Sequence, residues 1–358
     1  MQIVASTACY GVVGWRGMVG SELARRHASL VLDAGAVALT SSGCRRIATP
    51  AFPVTTRHSR NARALLRCKA LLVLQGGVYT RSVAMQLRCL NWAGHWIDAS
   101  SELRHRHNAA ILVDPINDRS IMDAHCRGVL SYAGGNCTVS LLLLAIGGLV
   151  CYGLTSCMFA TTMQAASGAG APCLATLAME MRAAAALPLH AMVCGGASGS
   201  RCTVACSVTP WVDIESRAPG VSREEQKGAT EAAKILGRES SVRLSSLCTR
   251  VGVVRCHSQS LFVALRRKAT LGGLADAIQS HSRWVLLVRN SRQPTMAALT
   301  PAAASGSRAV VVGRLRAHGV RQATLFTVGD QLLWGAVTPV ARMLLRTLRT
   351  HYRNAGQG

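Results

Sequence analysis

The sequence predicts an α/β protein of two domains, in which a parallel sheet with helices on both faces precedes an α+β domain. The chain has 358 residues, of which 49% are hydrophobic, so it is long enough for two domains with sizeable cores. Up to about residue 135, short apolar strands alternate with helical segments, which is the pattern of a parallel sheet. Longer strand-like runs follow. We therefore expect domains at residues 1–135 and 136–337, with a last helix within 338–358 that packs back on the first domain.

The first predicted strand, Ala8–Val13, leads into a glycine turn and a helix. The turn is Gly14–Gly20 (GWRGMVG), and the helical segment Ser21–Leu30 follows it. Strand, glycine turn and helix form the context that a dinucleotide site requires, because glycines let phosphates approach the backbone at a helix N-terminus. A single pattern of this kind also occurs in ordinary turns, so it needs support from elsewhere in the chain.

The second predicted strand, Ala36–Leu39, indicates which dinucleotide is bound. It runs into Thr40, Ser41 and Ser42, at a place where NAD-binding folds usually carry an acidic residue for the ribose hydroxyls. Hydroxyls without an acid, together with Arg16 in the glycine turn, favour a 2′-phosphate. The sequence therefore predicts NADP as the cofactor.

The remaining elements follow from apolar runs and helical periodicity. The first domain has two further predicted strands, Ala70–Leu74 and His95–Ala99. In the second domain the sequence predicts strands at Cys157–Gln164, Val251–Val254 and Leu261–Leu265, helices at Cys173–Leu187 and Ser222–Leu236, and a last helix at Pro339–Arg349.

The segment Gly134–Ser140 (GGNCTVS) places a cysteine at a predicted helix start. Cys137 follows two glycines and an asparagine and precedes the apolar stretch Leu141–Val150. A helix N-terminus presents free N–H groups and a partial positive charge, both of which favour a thiolate over a thiol. The pattern is typical of a nucleophile, while a buried structural cysteine is the alternative.

The formal net charge of +24 raises the alternative of a nucleic-acid-binding protein. However, the basic residues are scattered, and no DNA- or RNA-binding motif accompanies them. The lysines are only Lys69, Lys227, Lys234 and Lys268, and the rest of the 40 basic residues are arginines. We interpret this as compositional drift toward particular codons and expect no specific nucleic-acid partner, although weak binding to polyanions would follow from the charge.

Export and metal signals are missing from the sequence. No apolar run reaches the roughly 18–20 residues that cross a bilayer, and no basic region precedes an apolar stretch at the N-terminus. We therefore expect no membrane partner and a reducing compartment, the cytoplasm, where most of the 14 cysteines act as small apolar residues. No cysteine–histidine group has zinc spacing, so we expect no metal.

Eight blocks together resemble the bacterial aspartate-β-semialdehyde dehydrogenase family along nearly the whole chain. In order they are Gly14–Gly20 (GWRGMVG), Gln75–Tyr79 (QGGVY), Trp96–Arg104 (WIDASSELR), Gly134–Ser140 (GGNCTVS), Gln164–Gly170 (QAASGAG), Ser222–Gly228 (SREEQKG), Arg250–Gln259 (RVGVVRCHSQ) and Phe326–Gly335 (FTVGDQLLWG). The resemblance implies a Rossmann-type NADP-binding domain with a parallel sheet and an α+β catalytic and dimerisation domain, as in glyceraldehyde-3-phosphate dehydrogenase. It also implies a homodimer that reduces L-aspartyl 4-phosphate to L-aspartate 4-semialdehyde and phosphate, in lysine, threonine and methionine (diaminopimelate) biosynthesis.

The resemblance also assigns residues to the site. Cys137 would form a thioester, and His257 would be the acid or base that exchanges its proton. The substrate ligands implied are Arg104 and Lys227 for the phosphate, Glu224 for the amino group, Arg250 for the carboxylate, and Asn136 and Gln164 beside the cysteine. The cofactor contacts implied are Gly14, Arg16, Gly17, Met18, Val19, Gly20, Ser41, Ser42, Gln75, Ser167, Gly168 and Gln331.

Spacing adds two expectations of its own. Arg250 and His257 are seven residues apart, so they would face opposite sides of a regular strand. Both reach one site only if the strand breaks, and we expect the break at Gly252. Glu224 and Lys227 are three apart on a predicted helix and share a face. Spacing alone favours a surface ion pair for them, whereas the resemblance makes both substrate ligands.

Two other functions remain open. One is a related acyl-phosphate reductase with another substrate, and the other is a nucleic-acid-binding protein built on an inactive dehydrogenase fold. The chain departs from the family pattern in about six extra residues before the first strand, in a far more basic surface, and in a shortened segment between Leu187 and Trp211. Because this segment is shortened, the cofactor and dimer contacts that it makes in the family are the ones we expect to differ in this chain.

Overall fold

The computed structural model describes residues 10–28, 36–40, 56–187, 204–237 and 242–355. The chain divides into two compact units, of which the first comprises residues 1–135 and 335–358 and the second residues 136–334. The predictions for Ser41 and Ser42, and those for most of the segment between Leu187 and Trp211, lie outside the described residues. Within the described ranges, no helix is both long and apolar enough to cross a bilayer.

The first unit contains the predicted parallel sheet. Its described strands are β1 Tyr10–Val13, β2 Ala36–Thr40, β3 Thr56–His58, β4 Ala70–Val73, β5 His95–Asp98, β6 Ala109–Leu112 and β7 Ser131–Gly134. Its described helices are α1 Met18–Arg26, α2 Ala62–Leu66, α3 Gly77–Cys89, α4 Asp118–Cys126 and the C-terminal helix Thr338–Ala355. The described strands pair in parallel, in the order β3-β2-β1-β4-β5-β7-β6.

Both faces of this sheet are buried at its central strands β1, β4 and β5, as their apolar sequences require. Val12 and Val13 lie in separate hydrophobic clusters, because successive side chains of a strand point to opposite faces. The C-terminal helix contributes Val340 and Leu344 to the cluster that contains Val12.

The second unit is built around a mixed sheet. Its described strands are β8 Thr155–Gln164, β9 Val208–Thr209, β10 Arg243–Val251, β11 Cys256–Leu265, β12 Val285–Leu287, β13 Val310–Ala317 and β14 Gln322–Asp330, in the order β12-β13-β14-β11-β8-β10-β9. Its described helices are α5 Cys137–Cys151, a 3₁₀ helix Ala166–Ala169, α6 Ala171–Ala185, α7 Arg223–Leu236, α8 Leu271–Ser280, α9 Arg292–Ala298 and α10 Pro301–Ala304. A π-helix, Leu333–Val337, runs into the C-terminal helix. The α/β class and the two-part architecture are confirmed.

The predicted strand Val251–Val254 is wrong beyond its first residue, and the break falls at Gly252. Strand β10 ends at Val251, and a Cβ at position 252 would lie 3.0 Å from the carbonyl oxygen of Val204. The carbonyls of Val253 and Val254 accept the N–H groups of residues 166 and 167 instead of joining a ladder. Apolar composition alone does not distinguish this turn from a strand.

The apolar helix α5 packs against the sheet at a glycine. Leu141, one turn into the helix, lies over Gly329 so closely that a Cβ there would be 2.4 Å from Leu141 Cδ2. Gly329 is the cross-strand partner of His257 in the β11–β14 pair. The first turn of α5 is therefore seated next to the histidine. Gln259, two residues further along β11, also donates its side-chain amide to the carbonyl of Thr138 at 3.0 Å.

Candidate active site

Cys137 is the first residue of α5, and its Sγ lies 3.1 Å from His257 Nε2. Asn136 caps the helix: its Oδ1 accepts the N–H groups of Thr138 at 2.9 Å and Val139 at 3.3 Å. The predicted helix start is therefore confirmed. The sulfur has a ring nitrogen beside it and the positive end of a helix beneath it, which are conditions that favour a thiolate.

His257 is completely buried, and both of its ring nitrogens have partners. Nε2 faces Cys137, and Nδ1 accepts the backbone N–H of Ala165 at 3.0 Å. Burial, and then the positive charge of Arg250, lower the pKa of His257 to about 3. The imidazole is consequently neutral at physiological pH.

The side chain of Arg250 extends from the end of β10 to the site that contains Cys137 and His257. It is the parallel partner of Gln164 at the end of β8, and its Nη1 donates to the carbonyl of Ala165 at 2.7 Å. The turn at Gly252 allows this, because β11 returns on the other side of β8 and brings His257 to the same strand end.

Gly168 fits between these two side chains. A Cβ at this position would lie 3.1 Å from Arg250 Nη1 and 3.1 Å from His257 Cε1, which is tighter than ordinary side-chain contact. The absence of a side chain at 168 therefore lets the 3₁₀ helix lie directly against the arginine and the histidine.

Glu224 connects three of the other predicted substrate ligands. Its Oε1 accepts the side-chain amide of Asn136 at 2.8 Å and that of Gln164 at 3.4 Å, and its Oε2 pairs with Lys227 Nζ at 3.4 Å. Glu224 is buried, so the alternative of a surface ion pair is wrong for this carboxylate. The four side chains form one polar cluster beside the cysteine.

Lys227 has a second acidic partner that the sequence did not indicate. Asp213 Oδ2 lies 2.5 Å from Lys227 Nζ. Burial alone would lower the pKa of Lys227, but the hydrogen bond to Asp213 and the charge of Glu224 outweigh it and raise that pKa above its usual value. Asp213 has a left-handed backbone with φ of 69°, and no sequence pattern marks it.

Glu231 is a further site residue that the sequence analysis did not predict. Its side chain is completely buried, and its Oε2 accepts the backbone N–H of Asn136 at 2.8 Å. A signal existed, because Glu231 follows Glu224 by seven residues in one predicted helix and therefore lies on the same face.

Ser167 and Gln331, both predicted to contact the cofactor, lie together in the second unit. Gln331 Nε2 donates to Ser167 Oγ at 2.8 Å, and Ser167 Oγ donates to the carbonyl of Arg255 at 3.4 Å. Both side chains are buried. The contact ties the loop that contains Gly168 to the end of β14.

Arg104, the other predicted phosphate ligand, belongs to the first unit. Its side chain is buried, and its Nε donates to the carbonyl of Gly134 at 2.7 Å. Gly134 ends β7 and precedes the nucleophile by three residues in the chain. The guanidinium is thus held at the strand end that leads to Cys137.

The glycine turn of the first unit fits a dinucleotide phosphate. Gly14 has φ of 77°, and a Cβ there would lie 2.9 Å from the carbonyl carbon of Leu74. Gly17 is the N-cap of α1, and a Cβ on Gly20 would lie 2.3 Å from the carbonyl oxygen of Trp15. The turn therefore exposes backbone N–H groups at a helix N-terminus, where phosphates bind.

The position of this turn in the sheet supports the same interpretation. The strand order reverses between β1 and β4, and the crevice at such a point is where ligands bind in open α/β sheets. Gln75 follows β4, and its buried Oε1 accepts no hydrogen bond from the described residues. Of the other predicted contacts, Arg16 is exposed and Met18 and Val19 are half-buried in the first turn of α1.

Two other described cysteines, Cys248 and Cys256, are buried. Burial raises the pKa of Cys248 to about 11 and that of Cys256 to about 12, so both are thiols at neutral pH. Within the described ranges, no cysteine, histidine, aspartate or glutamate belongs to a group of three or more that could hold a metal ion.

The chain matches two family models, the semialdehyde dehydrogenase NAD-binding domain over residues 10–124 and the semialdehyde dehydrogenase dimerisation domain over residues 147–334. Its structure is similar to that of aspartate semialdehyde dehydrogenase from Francisella tularensis, with 32% identity, a TM-score of 0.87 and coverage of 94% of this chain and 98% of that one. The fold is shared with aspartate semialdehyde dehydrogenase II from Vibrio cholerae complexed with ASA, with 20% identity, a TM-score of 0.77 and coverage of 96% and 99%. It is also shared with the enzyme from Candida albicans with NADP, with 14% identity, a TM-score of 0.64 and coverage of 96% and 99%. The protein is therefore a member of the aspartate-semialdehyde dehydrogenase family.

Proposed function

We propose that this protein is an NADPH-dependent aspartate-semialdehyde dehydrogenase of amino-acid biosynthesis, serving the lysine, threonine and methionine branches. It converts L-aspartyl 4-phosphate to L-aspartate 4-semialdehyde and phosphate. The observation that carries this proposal is the distance of 3.1 Å between Cys137 Sγ and His257 Nε2, within a cluster of side chains suited to an amino acid.

Cys137 makes the reduction of a carboxyl group chemically feasible by forming a thioester. A carboxylate accepts hydride poorly, whereas an acyl phosphate transfers its acyl group to a thiolate with loss of phosphate. The resulting thioester on Cys137 would accept a hydride, which is the chemistry that bound NADPH would supply, and the aldehyde would then leave the sulfur. One difficult step is thereby replaced by easier ones, which is the purpose of covalent catalysis.

The proposed ligands correspond to the charged groups of the substrate. Glu224 offers a carboxylate to the α-ammonium, and Arg250 offers a planar guanidinium to the α-carboxylate. Lys227 supplies a cation for the phosphate, and Arg104 is proposed as a second phosphate ligand. Gln164, which donates to Glu224 at 3.4 Å, would hold the substrate beside the cysteine.

The glycine turn and Gln75 are proposed to hold NADP, and Ser167, Gly168 and Gln331 are proposed as further cofactor ligands. The orphaned Oε1 of Gln75 is an acceptor suited to a cofactor hydroxyl or amide. Arg16 is proposed to bind the 2′-phosphate because it is exposed in the turn and carries the required charge.

We further propose a homodimer formed through the mixed sheet of the second unit. Phe159 and Phe262 are direct partners across β8 and β11, and Leu247 is the partner of Thr161, so all three apolar side chains share one face. They are 47%, 37% and 44% exposed, in the order Phe159, Phe262 and Leu247. Covering such a face by a second copy would remove it from water. Sedimentation of the purified protein tests this, and a monomer at micromolar concentration would contradict it.

The reverse reaction tests the enzymatic proposal. Purified protein is mixed with aspartate semialdehyde, NADP and inorganic phosphate, and NADPH formation is followed by its absorbance. We expect NADPH to form only when all three are present. Absence of turnover by folded protein that binds NADPH would overturn the proposal.

A second assay separates this function from that of a related acyl-phosphate reductase. The semialdehyde is replaced by an analogue in which the α-amino group is acylated. Because acylation removes the ammonium that Glu224 would pair with, we expect little turnover of the analogue. Faster turnover of the acylated compound than of aspartate semialdehyde would favour the other reductase.

A further inference from the structure

An ion pair lies at the end of strand β14, next to a side chain that is proposed to contact the cofactor. Asp330 ends β14 and is completely buried, and its Oδ2 accepts Arg255 Nε at 2.6 Å. Arg255 directly precedes β11, and its side chain is 21% exposed. A carboxylate that has lost its water needs further hydrogen bonds besides its charged partner to offset the cost of burial.

Two backbone groups supply those hydrogen bonds to Asp330. Its Oδ2 also accepts the N–H of Gly306, just beyond α10, at 2.7 Å, and its Oδ1 accepts the N–H of Leu332 at 3.0 Å. Because Leu332 lies two residues beyond Asp330, the second bond closes a turn of the kind that aspartate side chains stabilise. Gln331 is the residue inside this turn, so the carboxylate fixes the backbone on both sides of it.

The arginine of the pair reaches the side chain of Gln331 by a second route. The carbonyl of Arg255 accepts Ser167 Oγ at 3.4 Å, and Ser167 Oγ in turn accepts Gln331 Nε2 at 2.8 Å. Asp330, Arg255, Ser167 and Gln331 therefore form a closed ring of contacts, all within the second unit. The ring fixes the amide of Gln331 as well as its backbone.

We propose, on the basis of the function above, that the Arg255–Asp330 pair is a positioning element for Gln331 and thereby sets the affinity for NADPH. The pair acts through Gln331 rather than by contact with a ligand. A long side chain that is already ordered before the cofactor arrives loses less conformational entropy when it binds. Without the ion pair, the turn around Gln331 is released and the amide has to be ordered during binding.

Fluorescence titration of the full-length protein with NADPH, without substrate, tests the proposal. We expect the dissociation constant to rise about tenfold in Arg255→Gln, because a displaced contact group can have such an effect. Arg255→Lys keeps the positive charge and should recover part of the affinity. If Arg255→Gln does not fold, as judged by thermal melting, the same comparison is made with Arg255→Lys.

Arg266→Gln is the matched control, because it removes the same charge at the other end of β11. Arg266 directly follows that strand and donates its Nε to the carbonyl of Thr155 at 2.9 Å. We expect Arg266→Gln to bind NADPH with the native affinity. An unchanged dissociation constant in the folded Arg255 variant, or an equal loss in the control, would overturn the proposal.

A second background separates positioning of Gln331 from a general loss of structure. Gln331→Ala removes the side chain that the pair is proposed to hold and should itself weaken NADPH binding. In this background we expect Arg255→Gln to change the dissociation constant by less than about twofold, so that the two substitutions are not additive. Additive effects would mean that Arg255 acts without Gln331, and they would refute the proposal. The titration needs no aspartate semialdehyde, so a failure of the proposed reaction is a separate result.

Discussion

The backbone N–H of Asn136 donates to the carboxylate of Glu231 over 2.8 Å, across 95 residues of sequence. Asn136 precedes the nucleophile, and its side chain also caps α5 and donates to Glu224. Glu231 therefore fixes the position of Asn136. Asn136 in turn caps helix α5, which begins with Cys137, and contacts Glu224, the ligand proposed for the substrate's amino group.

We expect Glu231→Ala to lower kcat by more than tenfold, with a smaller change in the KM for aspartate semialdehyde. The substitution leaves a buried N–H of Asn136 without its acceptor, which costs about 1–3 kcal/mol and lets the helix start shift. Glu231→Gln keeps an oxygen acceptor and should recover most of the activity. Steady-state kinetics with thermal melting checks this. If the glutamine variant is as impaired as the alanine variant at equal stability, the positioning role is wrong.

Asp213→Asn should change how phosphate binding depends on pH. In the native protein the pKa of Lys227 is raised, so the ammonium persists as pH increases. Without the carboxylate of Asp213, the lowering of the Lys227 pKa by burial is less fully opposed. Lys227 therefore loses its proton at a lower pH. We therefore expect the KM for phosphate in the reverse reaction to begin rising at a lower pH than in the native enzyme.

A double variant supplies the control for that experiment. Lys227→Arg combined with Asp213→Asn carries a guanidinium that stays protonated across the accessible range. The alkaline rise in the KM for phosphate should then return to that of Lys227→Arg alone. A persistent shift in the double variant would mean that Asp213 acts on another group.

Gly168→Ala should reduce kcat by roughly 10- to 100-fold, since a displacement of about 1 Å at a catalytic group can have such an effect. The added Cβ would lie 3.1 Å from both Arg250 Nη1 and His257 Cε1. The control is Gly272→Ala, because a Cβ at 272 meets no heavy atom within 4 Å. Kinetics of the two variants side by side measures the effect, and equal activities would show that the close packing at 168 is dispensable.

Cys137→Ala should abolish turnover while leaving NADPH affinity unchanged, because the thioester cannot form and the glycine turn belongs to the other unit. Cys151→Ala, at the opposite end of the same helix and exposed, is the matched control and should remain active. Turnover is measured in the reverse reaction and binding by NADPH fluorescence. Normal turnover by Cys137→Ala would eliminate the thioester mechanism.

Arg16→Leu should reduce the preference for NADPH over NADH by roughly tenfold or more, the effect of losing one charge-assisted hydrogen bond to a phosphate. The ratio of the two kcat/KM values measures this preference. The kcat/KM for NADH itself should change little, since NADH has no 2′-phosphate. Equal use of the two cofactors by the unmodified protein would refute the assignment of Arg16.

Much of the fold could be predicted because its signals are local. The glycine turn after β1 marks a helix start because its glycines allow a close backbone approach, and the asparagine before Cys137 marks another because it caps the backbone N–H groups of α5. The strand predicted at Val251–Val254 failed because its residues are apolar but bond to the 3₁₀ helix rather than to a neighbouring strand. That outcome depends on contacts distant in sequence.

The site was predictable to the extent that side-chain chemistry has a pattern. Glu224, Arg250 and His257 were indicated by blocks of sequence that resemble a family. The contributions of Ala165 and Asp213 could not be found this way, because one acts through its backbone N–H and the other lies in an irregular segment. Both become visible only when strand ends and loops are brought together.

The C-terminal helix has a consequence for how the protein is synthesised. Val340, Ala341 and Leu344 belong to the same apolar cluster as Tyr10 and Val12, at opposite ends of the chain. A ribosome that has just released the second unit has not yet supplied the helix that covers one face of the first. That face stays exposed to water until the helix has been synthesised, so before then the nascent chain carries an uncovered apolar surface that can associate with other chains.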